Sequence, residues 1–100
     1  MILFASLPAV KDAYLSPEVQ NIRLEGEEVV VTAKNEFRVA AVRVEVIDAE
    51  GSVTESGPAI LGWNGIDWHY KATALPAGGK VIVVAENLPG YETVKELVLT

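Results

Sequence analysis

The chain has 100 residues, half of them apolar, with 14 acidic against 8 basic side chains and a net charge of −6. That is the length of one domain, with enough apolar material for a core. The acidity argues against nucleic acid, and against anionic membrane surfaces, because like charges repel.

No cysteine is present, which removes disulfides, thiol nucleophiles and Cys-type zinc sites without fixing a compartment. No apolar run approaches the roughly 18 residues that cross a bilayer, so no membrane insertion is expected. Residues 1–10 are apolar, but no Lys or Arg precedes them and Pro8 interrupts them, so they make a poor signal peptide. Residues 1–18 read as an apolar arm or an extra strand, and residues 19–100 as the domain. Met1 to Phe4 is the apolar part of the arm. Val10 to Leu15 suits one irregular helical turn, stopped where Pro17 biases Ser16 away from helical angles.

The strand signal starts at Val19. Val19 to Leu24 predicts a first strand, broken by Gly26. Glu28 to Lys34 predicts a second, with Val29, Val31 and Ala33 on one face. Asn35-Glu36 punctuates. Val39 to Ile47 predicts the longest strand, in which Val42, Val44 and Val46 alternate with Arg43 and Glu45. The alternation slips at Ala40-Ala41, which predicts a bulge where the strand enters its sheet. Asp48-Ala49-Glu50-Gly51 is a turn. Ser52 to Glu55 reads as a short polar edge strand, ended or bent by Gly57-Pro58, because Pro cannot donate to an interior ladder. Gly62 and Asn64-Gly65 loosen the chain after Ile60-Leu61. Ile66 to Thr73, Val81 to Glu86 and Thr93 to Leu99 predict the remaining strands, with Gly78-Gly79 in a hairpin turn. About seven short strands with turn signals every 8–12 residues predict an all-β, antiparallel two-sheet sandwich, with a small barrel as the alternative.

The residues that carry a family likeness are Gly65, Trp68, Tyr70, Leu75, Gly78, Val81, Val83, Ala85, Gly90, Leu97 and Leu99. Their pattern resembles the C-terminal half of bacterial immunoglobulin-like domains, with fibronectin type III and PKD-type sandwiches as architectural relatives. Val29-Val31-Ala33 and Val39 to Val46 resemble the matching earlier strands, so the likeness spans residues 19–100. Two features depart from it: Asn87-Leu88-Pro89-Gly90 stands where an acidic turn is usual, and residues 1–18 have no counterpart. The resemblance implies a spacer, assembly or protein-binding domain of a surface or secreted protein, hence an extracellular or cell-surface location. It implies no catalysis.

The chemistry-bearing residues are few. His69 is the lone histidine. A catalytic triad would need it beside Ser6, Ser16, Ser52 or Ser56, none of which sits in a nucleophile elbow. The carboxylates read as the wet faces of strands rather than a glycosidase pair, and a sandwich of this size lacks a deep cleft. No catalytic residue, metal ligand or cofactor is therefore assigned. Ca²⁺ is the one metal the oxygen ligands would suit, through Asp48 and Glu50 in one turn with Asp67 or Glu55 at the same end; Asp48 also reads simply as a turn-former.

The aromatics say more. Trp68 and Tyr70 share a face, read as core-facing. Trp63 lies in loop composition, where it either caps the open end of the sandwich or offers a platform for a sugar ring or a protein partner. Trp63, Asn64 and His69 are the candidate ligand-binding residues. If Val81, Val83, Ala85, Leu97 and Leu99 point inward, then Ile82, Val84, Val94 and Val98 point outward, with Ile47 beside them. That set is the candidate partner-contact face, to be covered by the arm, a second copy or another domain; the alternative is that strands favour valine. The expected function is non-enzymatic contact with a protein partner or neighbouring domain, with self-association among the possibilities. A carbohydrate-binding module using Trp63 is the alternative.

Overall fold

The computed structural model describes residues 16–34 and 38–100. The Met1 to Phe4 arm, the Val10 to Leu15 turn, Ser6 and Asn35-Glu36 lie outside the described residues. Eight strands follow one another: β1 (Glu18–Glu25), β2 (Glu28–Lys34), β3 (Val39–Ile47), β4 (Val53–Pro58), β5 (Ile60–Leu61), β6 (Asp67–Lys71), β7 (Lys80–Asn87) and β8 (Glu92–Val98). They form two antiparallel four-stranded sheets, ordered β1-β2-β6-β5 and β4-β3-β7-β8, packed as a sandwich.

Valine sets the register. Val29, Val31, Ala33 and Trp68 from the first sheet meet Val42, Val44, Val46, Val81, Val83 and Ala85 from the second. Burying a valine side chain fully is worth about 1.5–3 kcal/mol. A one-residue slip of β2 or β3 would turn its whole valine set to water, so that slip is excluded. The bounds of β2 and β3 agree with the alternation. The predicted bulge is present too: the pairing of β3 with β7 shifts between Val39 and Ala41.

The sequence undercounts the strands. The short strand expected at Ser52 to Glu55 continues to Pro58, which stands opposite Arg43 at the end of an edge strand. At Ala59, buried and still donating its N–H to Val42 O, the chain leaves the second sheet. It then pairs as β5 with β6 in the first. β5 has two residues, too few to show a period, and so escapes sequence reading. Gly57 lies inside β4 rather than ending it; a Cβ there would sit 3.2 Å from the Tyr70 ring, so the glycine makes room for that ring.

Tyr70 and Glu55 tie the sheets together. The Tyr70 hydroxyl donates to Glu55 Oε1 (2.7 Å), and the Thr73 and Ala74 amides donate to the same carboxylate. The hydroxyl's hydrogen bond and then the Thr73 amide hold the Glu55 carboxyl below its ordinary value. Burial, reinforced by that carboxylate, pushes the Tyr70 phenol up to about 12.

Candidate functional site

One end of the sandwich gathers the residues of interest. β2 leaves the sheet there at Lys34, β3 enters after Arg38, the β5–β6 hairpin turns there, and so does the β7–β8 connection. The β5–β6 turn is held from inside. Gly62 N–H donates to Asp67 O (2.7 Å), and Gly65 N–H donates to Gly62 O (3.0 Å). Asn64 Oδ1 accepts from the Ile66 and Asp67 amides (both 3.0 Å), while its Nδ2 donates to Asp67 Oδ2 (2.9 Å). Asp67 in turn accepts the Thr32 hydroxyl (2.6 Å) and faces Arg23 at 3.5 Å. The Thr32 hydroxyl, then the Asn64 amide, keeps the Asp67 carboxyl below its ordinary value.

His69 lies beneath this turn. Its Nδ1 is 2.9 Å from Glu28 Oε1 across the outer face of the first sheet. A Cβ at residue 62 would come within 2.9 Å of its Nε2, so the ring and the hairpin backbone touch only because residue 62 is glycine. Trp63 occupies the second position of this pinned turn, fully exposed. It does not cap the sandwich; Trp68 is the core tryptophan.

Leu61 and Ile66, at the two ends of this turn, share with Trp68, Lys34 and Arg38 a shallow cleft of about 360 Å³. The Leu88 amide donates to Arg38 O, which joins the β7–β8 turn to the same surface. Asn87, buried, accepts the Gly90 and Tyr91 amides through Oδ1 and shapes that turn, leaving Leu88 67 % exposed at its tip. The end therefore presents Trp63, Leu61, Ile66 and Leu88 beside two cations. Of this group sequence reading found Trp63. Leu88 and Arg38 were missed, because Leu88 reads only as part of an Asn-Leu-Pro-Gly turn and the positive φ of Arg38 (+69°) leaves no mark in the sequence.

The three ligand-binding candidates are brought together, but Asn64 and His69 serve the turn. Asn64 spends its amide on three hydrogen bonds, and His69 is held between Glu28 and Gly62. Ser52 and Ser56 belong to the opposite sheet and its approach, far from any partnership with His69.

The calcium arrangement is not assembled. Asp48 Oδ1 accepts the Glu50 and Ser52 amides, which makes it the turn-former. Asp67 lies at the other end of the sandwich, because β3 runs the full height of the sheet between its start near the Lys34 end and Asp48. Among the described residues no group of three His, Asp or Glu converges to hold a metal.

On the outer face of the second sheet, Val84 is closed in at 7 % exposure, whereas Val94 and Val98 stand 59 % and 64 % exposed. Arg43, Glu45, Lys80 and Glu96 interleave with Ile47 and Ile82, so the apolar side chains are set among charges rather than in one continuous patch. Comparison with protein-family models, with curated proteins and with solved structures finds no match to this chain.

Proposed function

We propose that this chain is an immunoglobulin-like module, of the kind found in surface or secreted bacterial proteins. It acts by non-covalent contact with a protein partner or neighbouring domain, and performs no chemistry. The strand order supports the fold family: β1-β2-β6-β5 against β4-β3-β7-β8 has the sequence of an immunoglobulin sandwich with one extra strand on its second sheet. One departure is that the core tryptophan sits on β6, where antibody domains carry theirs on the third strand.

Contact by strand addition is disfavoured, because every sheet edge is blunted. β1 carries a register shift between Val19 and Asn21, β4 ends in proline, and β5 has two residues. β8 places Lys95 on its core-facing side by alternation with Val94 and Glu96. Contact therefore falls to side chains. The observation that carries the reading is Trp63, an exposed indole on a turn pinned by Asn64, so little ordering is lost on binding.

The same indole suits a sugar ring, which keeps the carbohydrate module as the second reading. Against it, the Asn64 amide beside Trp63 is already spent on the turn and on Asp67. A photoreactive benzophenone side chain at position 63, used in the producing cells, tests the proposal. Discrete protein adducts are expected, absent when the probe sits at position 50, exposed at the other end. Equal labelling at both positions overturns contact through this end. Glycan-array binding abolished by Trp63→Ala establishes the sugar reading instead.

A further inference from the structure

We infer that Asn64 is the site at which this chain is covalently modified as it ages. Its side-chain amide is lost through a succinimide formed with Gly65, the folded turn delays the reaction, and the product releases the turn that carries Trp63. Of Asn21, Asn35, Asn64 and Asn87, only Asn64 is followed by glycine. Asparagine is a chemically labile residue. Glycine has no Cβ to obstruct attack by its own backbone nitrogen, and its backbone reaches conformations other residues resist. Asn64 and Gly65 are both exposed, so water reaches the pair. The inference goes beyond the contact reading and does not depend on what this end touches.

The Gly65 nitrogen forms a bond to Asn64 Cγ, the Cγ–Nδ2 bond breaks, and ammonia departs with the proton that the Gly65 nitrogen gives up. Water then opens the imide. Attack at Cγ leaves aspartate; attack at the backbone carbonyl leaves isoaspartate, with the chain running through the former side chain. Aspartate can still accept the Ile66 and Asp67 amides, but it sets a second carboxylate against Asp67 Oδ2, where Nδ2 now donates at 2.9 Å. Isoaspartate lengthens the backbone of the turn, and the contacts made by Oδ1 are lost.

The native turn opposes ring closure in two ways. Gly65 N–H donates to Gly62 O (3.0 Å), so residues 62–65 form a β-turn with Asn64 in its third place. Neither Trp63 nor Asn64 has a positive φ, which makes the turn type I and sets the Asn64 ψ near 0°. Closing the succinimide ring rotates the Asn64–Gly65 peptide well away from that angle and breaks the Gly65 hydrogen bond. The side chain is also held in place, by two amides on Oδ1 and by Asp67 on Nδ2. Asp67 is itself fixed by the Thr32 hydroxyl (2.6 Å). The reaction therefore waits on local opening of the hairpin.

Peptide mapping by mass spectrometry, on chains incubated at mildly alkaline pH both folded and in urea, tests this. In urea Asn64 should be converted before Asn21, Asn35 or Asn87, to aspartate and isoaspartate. In the folded chain the conversion should be at least about tenfold slower. Asp67→Ala frees the Asn64 Nδ2 and should raise the folded rate at least about threefold, with no change in urea. Thr32→Val, which removes only the hydroxyl that fixes Asp67, repeats the test, with Trp68 emission and far-UV dichroism reporting the fold. Hydrogen exchange of the Gly65 amide gives a second readout: folded protein aged to isoaspartate should lose the protection that the Gly62 carbonyl confers.

Equal rates in the folded and unfolded chains, or no acceleration by either Asp67→Ala or Thr32→Val, would overturn the guarding role of the turn. Conversion in urea that spares Asn64 would overturn the site itself. An aged chain whose Gly65 amide exchanges as in fresh protein would overturn the release of the turn. None of these outcomes depends on adducts at position 63, so the contact reading stands or falls separately.

Discussion

Tyr70→Phe isolates the contact that joins the two sheets. The variant keeps the ring packed against the core and beside Gly57, and deletes a single 2.7 Å hydrogen bond to a carboxylate. Hydrogen bonds to charged groups contribute about 1.5–3 kcal/mol. Tyr70 is half-buried and Glu55 retains the Thr73 and Ala74 amides, so the low end applies, about 1.5 kcal/mol. For a domain of this size that lowers Tm by about 6–12 °C.

Urea unfolding at neutral pH measures the loss. A double-mutant cycle with Glu55→Gln should return a coupling of about 1 kcal/mol. The pH profile gives a second readout. The folded phenol titrates at about 12, above its unfolded value, so its contribution is complete below the unfolded pKa of about 10 and is lost as pH rises toward 12. Tyr70→Phe should lack that component of the alkaline loss. A variant within about 0.5 kcal/mol of wild type, or no coupling to Glu55, would refute the tie between the sheets.

Three further outcomes are expected. Iodide should quench a red-shifted emission component that vanishes in Trp63→Phe and leave the Trp68 component; Trp63→Ala should change stability by less than about 0.5 kcal/mol, and a blue, protected Trp63 signal would contradict its exposed position. Gly79→Ala should cost about 3 kcal/mol or more in urea unfolding, because its Cβ would fall 2.0 Å from the Ile47 carbonyl oxygen and backbone must move; a near-neutral effect would deny that close approach. Glu55 and Asp67, both held below their ordinary values, should stabilise the fold above the unfolded carboxyl range and lose that contribution as pH falls through their folded values, so acid unfolding of Glu55→Gln/Asp67→Asn should show a shallower pH dependence than wild type.

The two glycines at 78 and 79 show where sequence reading stops. Both read as one hairpin turn. Gly78 does supply a φ of +80°, as a turn requires, but Gly79 is glycine because a neighbouring strand's carbonyl presses on it. Turn chemistry is a property of consecutive residues and can be read along a chain. Close approach between distant strands cannot.

The same division runs through the whole protein. The sequence by itself determined the valine alternation of β2, β3 and β7, the bulge at the entrance of β3, the Asp48 turn and the inward Trp68, because each follows from side-chain periodicity or from a residue bonding its own backbone. Only the tertiary structure decided that the chain crosses between sheets at Ala59 to make β5, and that Asn64 and His69 serve the turn. It also decided that Val84 is closed in, and that Trp63, Leu88, Lys34 and Arg38 share one end. Those residues come from three separate connections, and their meeting depends on strand order and register, which long-range pairing sets after the local pattern is complete.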